Sequence, residues 1–254
     1  MTQDTGQRLN KIAEVTLYFW ILKILATTLG ETTGDFFSMT IGLGYVESLA
    51  LTAAVLVVLL VVQLRATRFH PVIFWLAIVG TTTVGTEVSD MMDRTLGLGY
   101  VSGSAILATC LLVSLAVWYW RDGNLDVDPI VRTDAEVMFW IAVVFSNSLG
   151  TAFGDFLVDV AGLNYLTGAA VTFGVIGLVL VAHYTKVVND VALFWIAFVF
   201  TRPFGADFGD FLTKPVAKGG LDLGTSNASL VCAALMLATM YWASRSARRA
   251  VRAD

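Results

Sequence analysis

The chain has 254 residues, of which 57% are hydrophobic and only 14% charged, where soluble domains average about 25% charged. With a mean hydropathy of +0.75, that composition excludes a soluble globular protein and points to a polytopic membrane protein. The formal net charge of −4 and the scatter of basic residues among apolar runs exclude a nucleic-acid footprint.

Residues 1–12 are polar and read as a cytoplasmic N-terminal segment without a signal-peptide pattern. Runs of about 20 apolar residues are long enough to span a bilayer. Eight follow, at 13–37, 45–64, 72–92, 100–120, 136–158, 165–185, 190–213 and 224–243. The first carries Lys23, Thr27, Glu31 and Asp35 at steps of four, one polar stripe on a helix. The second, typified by LTAAVLVVLLVV at 51–62, is apolar all round. The third repeats the stripe with Thr82, Thr83, Glu87 and Asp90, and the fifth with Asn147, Thr151 and Asp155. The seventh holds Arg202, Ala206 and Asp210, with Asp207 beside them. Helices with one polar face line a polar interior, so the odd helices are expected innermost and the even ones as an outer ring. The polar connector RDGNLDVDPIVRTD, 121–134, separates a first half, 13–120, from a second, 135–246, and a basic tail follows at 247–254.

The runs are internally repeated. Trp20, Trp75, Trp140 and Trp195 each follow a phenylalanine. Ten residues on come Gly30, Gly85, Gly150 and Gly205, and five further Asp35, Asp90, Asp155 and Asp210. Tyr45, Tyr100 and Tyr165 then close GLGY, GLGY and GLNY, whereas the fourth copy has KPVAKGGLDLG and no tyrosine. Tryptophan spacings of 55, 65 and 55 indicate a duplicated pair. The expected fold is all-α: four parallel two-helix hairpins related by rotation about the membrane normal. The glycines suit close helix packing, the tryptophans interfacial anchoring, and GLGY a hairpin turn rather than a phosphate loop. Cys110 and Cys232 read as small apolar residues, and His70 and His183 as interfacial.

With the N-terminus inside, the cytoplasmic side holds Arg8, Lys11, Arg65, Arg68, Arg121, Arg132, Lys186, Arg245, Arg248, Arg249 and Arg252. Only Arg94, Lys214 and Lys218 fall outside, which predicts cytoplasmic N- and C-termini.

Four inward aspartates together with Glu31, Glu87 and Asp207 make seven acids, offset by the charge-setting Lys23 and Arg202, a formal charge near −5. Such a charge requires bound protons or cations. The lining is oxygen-rich and free of histidine and cysteine, which suits Mg²⁺, Ca²⁺ or Mn²⁺. Thr27, Thr82, Thr83, Asn147 and Thr151 add polar atoms, and Glu47 lies in a column with Ser102 and Thr167 after the tyrosines.

The fourfold unit built on Trp20, Gly30, Glu31 and Asp35 resembles a group of bacterial four-repeat inner-membrane proteins known only as uncharacterised membrane proteins. Thr86, Thr151 and Ala206 replace the acid at the positions matching Glu31, and the fourth turn departs. The resemblance implies fold and location in the bacterial inner membrane, and no activity. On the chemistry of the acids, the expected function is a secondary transporter of a divalent cation, Mn²⁺ or Mg²⁺, as a proton-coupled exporter. Its partners are the bilayer, divalent cations and protons; a homo-oligomer is left open, and no permanent cofactor is expected. The alternatives are an acidic-ring channel and a non-transporting scaffold or sensor. No nucleophile–base pair marks an enzyme.

Overall fold

The computed structural model describes the backbone of residues 10–250 and side chains through 246. The first nine residues, the last four, and the side chains of the whole basic tail lie outside that description. Eight long α-helices occur among the described residues. They are α1 (Leu17–Asp35), α2 (Tyr45–Arg65), α3 (Pro71–Asp90), α4 (Gly99–Asp122), α5 (Thr133–Asp155), α6 (Tyr165–Thr185), α7 (Asp190–Thr213) and α8 (Thr225–Ala250). Seven are long and apolar enough to cross a membrane. The exception is α1, whose apolar run is diluted by Lys23 and Glu31.

Local signals set the helix ends. Thr16 caps α1 by accepting from the Phe19 amide, and Asn164 caps α6 by accepting from Thr167 at 2.9 Å. Pro71 opens α3, where a missing N–H costs nothing. Left-handed Gly123 ends α4. The GLGY turns need the same freedom: Gly42, Gly44, Gly97 and Gly99 all have φ between 69° and 80°. Immediately after Asp35, Asp90 and Asp155 the helix widens into one π turn: Phe36–Thr40, Met91–Thr95 and Phe156–Val160. The fourth copy has none. There α7 ends at Thr213 and a 3₁₀ turn, Val216–Lys218, follows, as its divergent sequence foreshadows.

The odd helices close into a ring, α1 on α3, α3 on α5, α5 on α7, and α7 back on α1. The ring closes tightly because its glycines face side chains of the next repeat. A Cβ on Gly30 would strike Thr82; on Gly85, Asn147; on Gly150, Arg202; on Gly205, Thr27. Backbones that approach this closely gain dispersion contacts that lipid tails do not replace.

The even helices correct the hairpin expectation. The two helices of a repeat do not pack along each other. Instead α2 packs on α3, α4 on α5, α6 on α7, and α8 returns to α1. Each outer helix is handed to the next repeat, so the halves on either side of 121–134 interlock.

The tryptophans are a second correction. Trp75, Trp140 and Trp195 are buried and Trp20 is half-buried, so they are core residues rather than interfacial anchors. Their partners come from the preceding repeat in the ring. Phe19 packs on Trp75 (ring centroids 5.6 Å apart), Phe74 on Trp140 (5.7 Å), Phe139 on Trp195 (6.3 Å) and Phe194 on Trp20 (5.7 Å). This closed aromatic layer seals one end of the bundle. Beyond it, Lys11 pairs with Glu136 at 2.5 Å and donates to the Leu64 carbonyl at 2.9 Å, while Gln63 donates to Glu136 at 2.9 Å. Asn10 donates to Asp128 of the connector at 2.8 Å. Burial raises the Asp128 carboxyl above the usual range.

Candidate functional site

The opposite end of the ring is acidic, and side chains one helical turn apart build it in layers. Deepest, against the aromatic layer, is fully buried Lys23, whose Nζ donates to Asn147 Oδ1 at 2.9 Å and lies 4.1 Å from the Phe198 ring centroid. Asn147 passes the network on by donating to Thr81 at 3.0 Å. In the next layer Arg202, also fully buried, donates through Nη2 to Glu31 at 2.8 Å, to the Thr86 hydroxyl at 2.5 Å and to the Thr82 carbonyl at 3.5 Å.

The four repeat aspartates form the outermost layer, and two cations divide them into pairs. Arg94 bridges Asp90 (3.1 Å) and Asp155 (3.3 Å). Lys214 bridges Asp35 (2.6 Å) and Asp210 (3.1 Å). Each cation holds the aspartate of its own repeat and that of the next, so repeats 2 and 4 are equivalent. Carboxylate oxygens of Glu31, Asp35 and Asp210 lie within 4.8 Å of one another, close enough to share one ion. A polar cavity of about 300 Å³ opens over this layer, lined by Met39, Arg94, Asp155, Asp210, Lys214 and Lys218 among others.

Sequence and structure part at several residues. Asp35, Asp90, Asp155, Asp210 and Glu31 converge as expected. Glu87 and Asp207 do not. Glu87 turns outward to Ser48 of α2, with which it hydrogen bonds, and Asp207 lies against Gly168 of α6 and Gly154 of α5. Exposed Glu47, at the start of α2, is no part of the site. Thr27 donates to the Thr201 carbonyl (3.2 Å), Thr82 to Ala26 (3.0 Å), Thr83 to Val79 (3.0 Å) and Thr151 to Asn147 (3.4 Å). These hydroxyls serve the helix backbones rather than the carboxylates. The charge of −5 is also too large, because Arg94 and Lys214 belong among the acids rather than in outer loops.

The family model described as Repeat of Unknown Function (DUF347) matches residues 18–69, 73–124, 138–187 and 193–249. The chain belongs to this family. No curated protein and no solved structure matches it. Each DUF347 segment holds one inner helix and the outer helix that follows, so the unit of sequence is not the unit of packing. A signal for the missed cations is present in the DUF347 columns. Arg94 and Lys214 each stand four residues after a repeat aspartate, where Met39 and Asp159 stand in repeats 1 and 3. An i,i+4 offset puts an arginine or lysine over its aspartate on one helix face. Thr86, which stands where the first repeat has its acid, joins Glu31 to Arg202, donating to the carboxylate at 3.2 Å and accepting from the guanidinium.

Proposed function

We propose that the protein binds a divalent cation at the acidic end of its inner ring and carries it across the bilayer in exchange for protons. The observation that carries this reading is the convergence of Glu31, Asp35 and Asp210, with oxygens within 4.8 Å of one another. An all-oxygen site of this charge suits a hard cation of the Mn²⁺ or Mg²⁺ class. Asp90 and Asp155 form the matching pair across the pseudo-two-fold axis. Lys214 acts as a tethered counter-ion that yields its place to the substrate, and Arg202 holds Glu31 from below.

In this reading all eight helices span the bacterial inner membrane, α1 included. Its position in the ring, equivalent to those of α3, α5 and α7, supports that count. The distribution of lysine and arginine supports cytoplasmic termini, which directs the acidic vestibule outward. Lys23, Arg202 and the aromatic layer lie across the axis beneath the carboxylates, and this favours an alternating-access transporter over a standing acidic-ring channel. A scaffold or sensor would need no cation-dependent behaviour at these residues.

Flux in proteoliposomes tests the proposal. An imposed pH gradient is expected to drive Mn²⁺ uphill, with protons moving the other way. Downhill flux that ignores the gradient would favour the channel, and no flux under any gradient would favour the scaffold.

A further inference from the structure

Several buried carboxyls lie outside the vestibule, and two of them, Glu87 and Asp207, occupy the same column of the repeat. Thr32, Glu87, Ala152 and Asp207 are equivalent positions, so only repeats 2 and 4 carry the acid. Those are the repeats that also carry the bridging cations. Each acid sits in the seam between an inner helix and the outer helix handed over from the previous repeat, Glu87 against Ser48 of α2 and Asp207 against Gly168 of α6. Glu87 is fully buried and Asp207 is 3% exposed. Neither forms an ion pair among the described residues, and Glu87 Oε2 and Asp207 Oδ2 have no hydrogen-bond partner among them. The four axial aspartates, by contrast, each hold Arg94 or Lys214.

The surroundings favour the neutral acid. Of the elements packed on α3, α1 brings Glu31 and Asp35 within electrostatic reach of Glu87 and α2 brings the Ser48 hydroxyl. Around Asp207, α5 contributes Asp155, α1 contributes Glu31, and α6 the Gly168 backbone. Its one nearby cation, Arg202 of the same helix, is paired with Glu31. An ionised carboxylate desolvated among anions costs several kcal/mol, whereas a carboxylic acid costs far less. Two separate seams each bury an acid without an ion pair among the described residues, Glu87 beside a hydroxyl and Asp207 beside a glycine.

We propose that Glu87 and Asp207 are a pair of equivalent proton-binding sites, set in the lipid-facing seams and separate from the axial carboxylates. The proposal stands whether or not the vestibule takes a metal ion. Glu87 and Asp207 are proton seats rather than cation ligands, one for each half of the duplicated chain.

An apolar carbodiimide tests it, because such reagents partition into bilayers and attack protonated carboxyls. The carboxyl proton passes to a carbodiimide nitrogen, the oxygen adds to the central carbon, and the O-acylisourea rearranges to a stable N-acylurea with nothing lost. Dicyclohexylcarbodiimide applied to the full chain in detergent at neutral pH is expected to give adducts at Glu87 and Asp207 by peptide mass mapping, diminishing as pH is raised. Labelling at neither, at only one, or spread equally over Asp35, Asp90, Asp155 and Asp210 would overturn the proposal. Infrared difference spectra give a second readout. The wild type is expected to show the carbonyl band of a protonated carboxyl, reduced in Glu87→Gln and in Asp207→Asn. A wild-type spectrum without that band at neutral pH would also overturn it.

Discussion

Lys214 of the fourth repeat donates to Asp35 of the first at 2.6 Å, across the seam where the ring closes. The same ammonium lies 3.1 Å from Asp210, so it sits where an ion shared by those carboxylates would be attracted. Lys214→Gln removes this competitor and keeps a polar side chain. The Mn²⁺ concentration giving half-maximal thermal stabilisation of purified protein is expected to fall on the order of tenfold, the scale of one charge at short range in a partly solvated site. An unchanged midpoint would separate Lys214 from cation binding.

Deeper in the ring, Glu31 and Arg202 form a buried pair at 2.8 Å. Breaking such a pair from one side strands a charge and costs roughly 3–5 kcal/mol, while replacing both sides with neutral groups costs much less. Glu31→Gln and Arg202→Met are each expected to lower the unfolding free energy by that amount in detergent. The double variant should lose less than the sum by more than about 1 kcal/mol. Additive losses would mean that the two side chains are not coupled.

The ring tolerates no side chain at its glycines. A Cβ on Gly85 would lie 2.9 Å from the Asn147 carbonyl carbon, a backbone atom that cannot swing away. Gly85→Ala is expected to destabilise by roughly 1–3 kcal/mol through overpacking, read as a lowered melting temperature. In Gly174→Ala, at a glycine of α6 with nothing within 4 Å of an added Cβ, the melting temperature should hardly change. Equal effects at the two sites would argue against the packing described.

Interlocking halves make a claim about cleavage. The α4 helix belongs to the first half but packs on α5, and α8 belongs to the second but packs on α1. A protease site inserted in the 121–134 connector should therefore release no free half. After cutting, the fragments are expected to co-elute as one particle in mild detergent. Separation into two folded halves would refute the hand-over.

Much of this arrangement is legible in the residues. The columns of tryptophan, glycine and aspartate recur because each repeat meets the same neighbours, and the helices at 165–185 and 190–213 begin and end where apolar periodicity does. What stays hidden is partner choice. A two-helix segment reads alike whether its second helix folds back on the first or reaches the next repeat. Trp75 looks like an interfacial anchor until Phe19, 56 positions away in sequence, is seen against it. Arg94 and Lys214 look like outer loop charges because they follow the apolar runs. The π turn after Asp90 keeps Arg94 within the helical segment, while Lys214 directly follows α7. Glu87 and Asp90 share a polar stripe, but a turn of three residues rather than four carries Glu87 off the axis and into the seam with Ser48.

The most direct test of the central claim is an anomalous difference map from crystals of the full chain grown with Mn²⁺. The account predicts one strong peak bounded by carboxylate oxygens of Glu31, Asp35 and Asp210, with Lys214 displaced from Asp35. That peak should vanish in crystals of Asp35→Asn. A Mn²⁺ peak seated elsewhere in the protein, or Lys214 still holding Asp35 and Asp210 at saturating Mn²⁺ with no peak beside them, would contradict it.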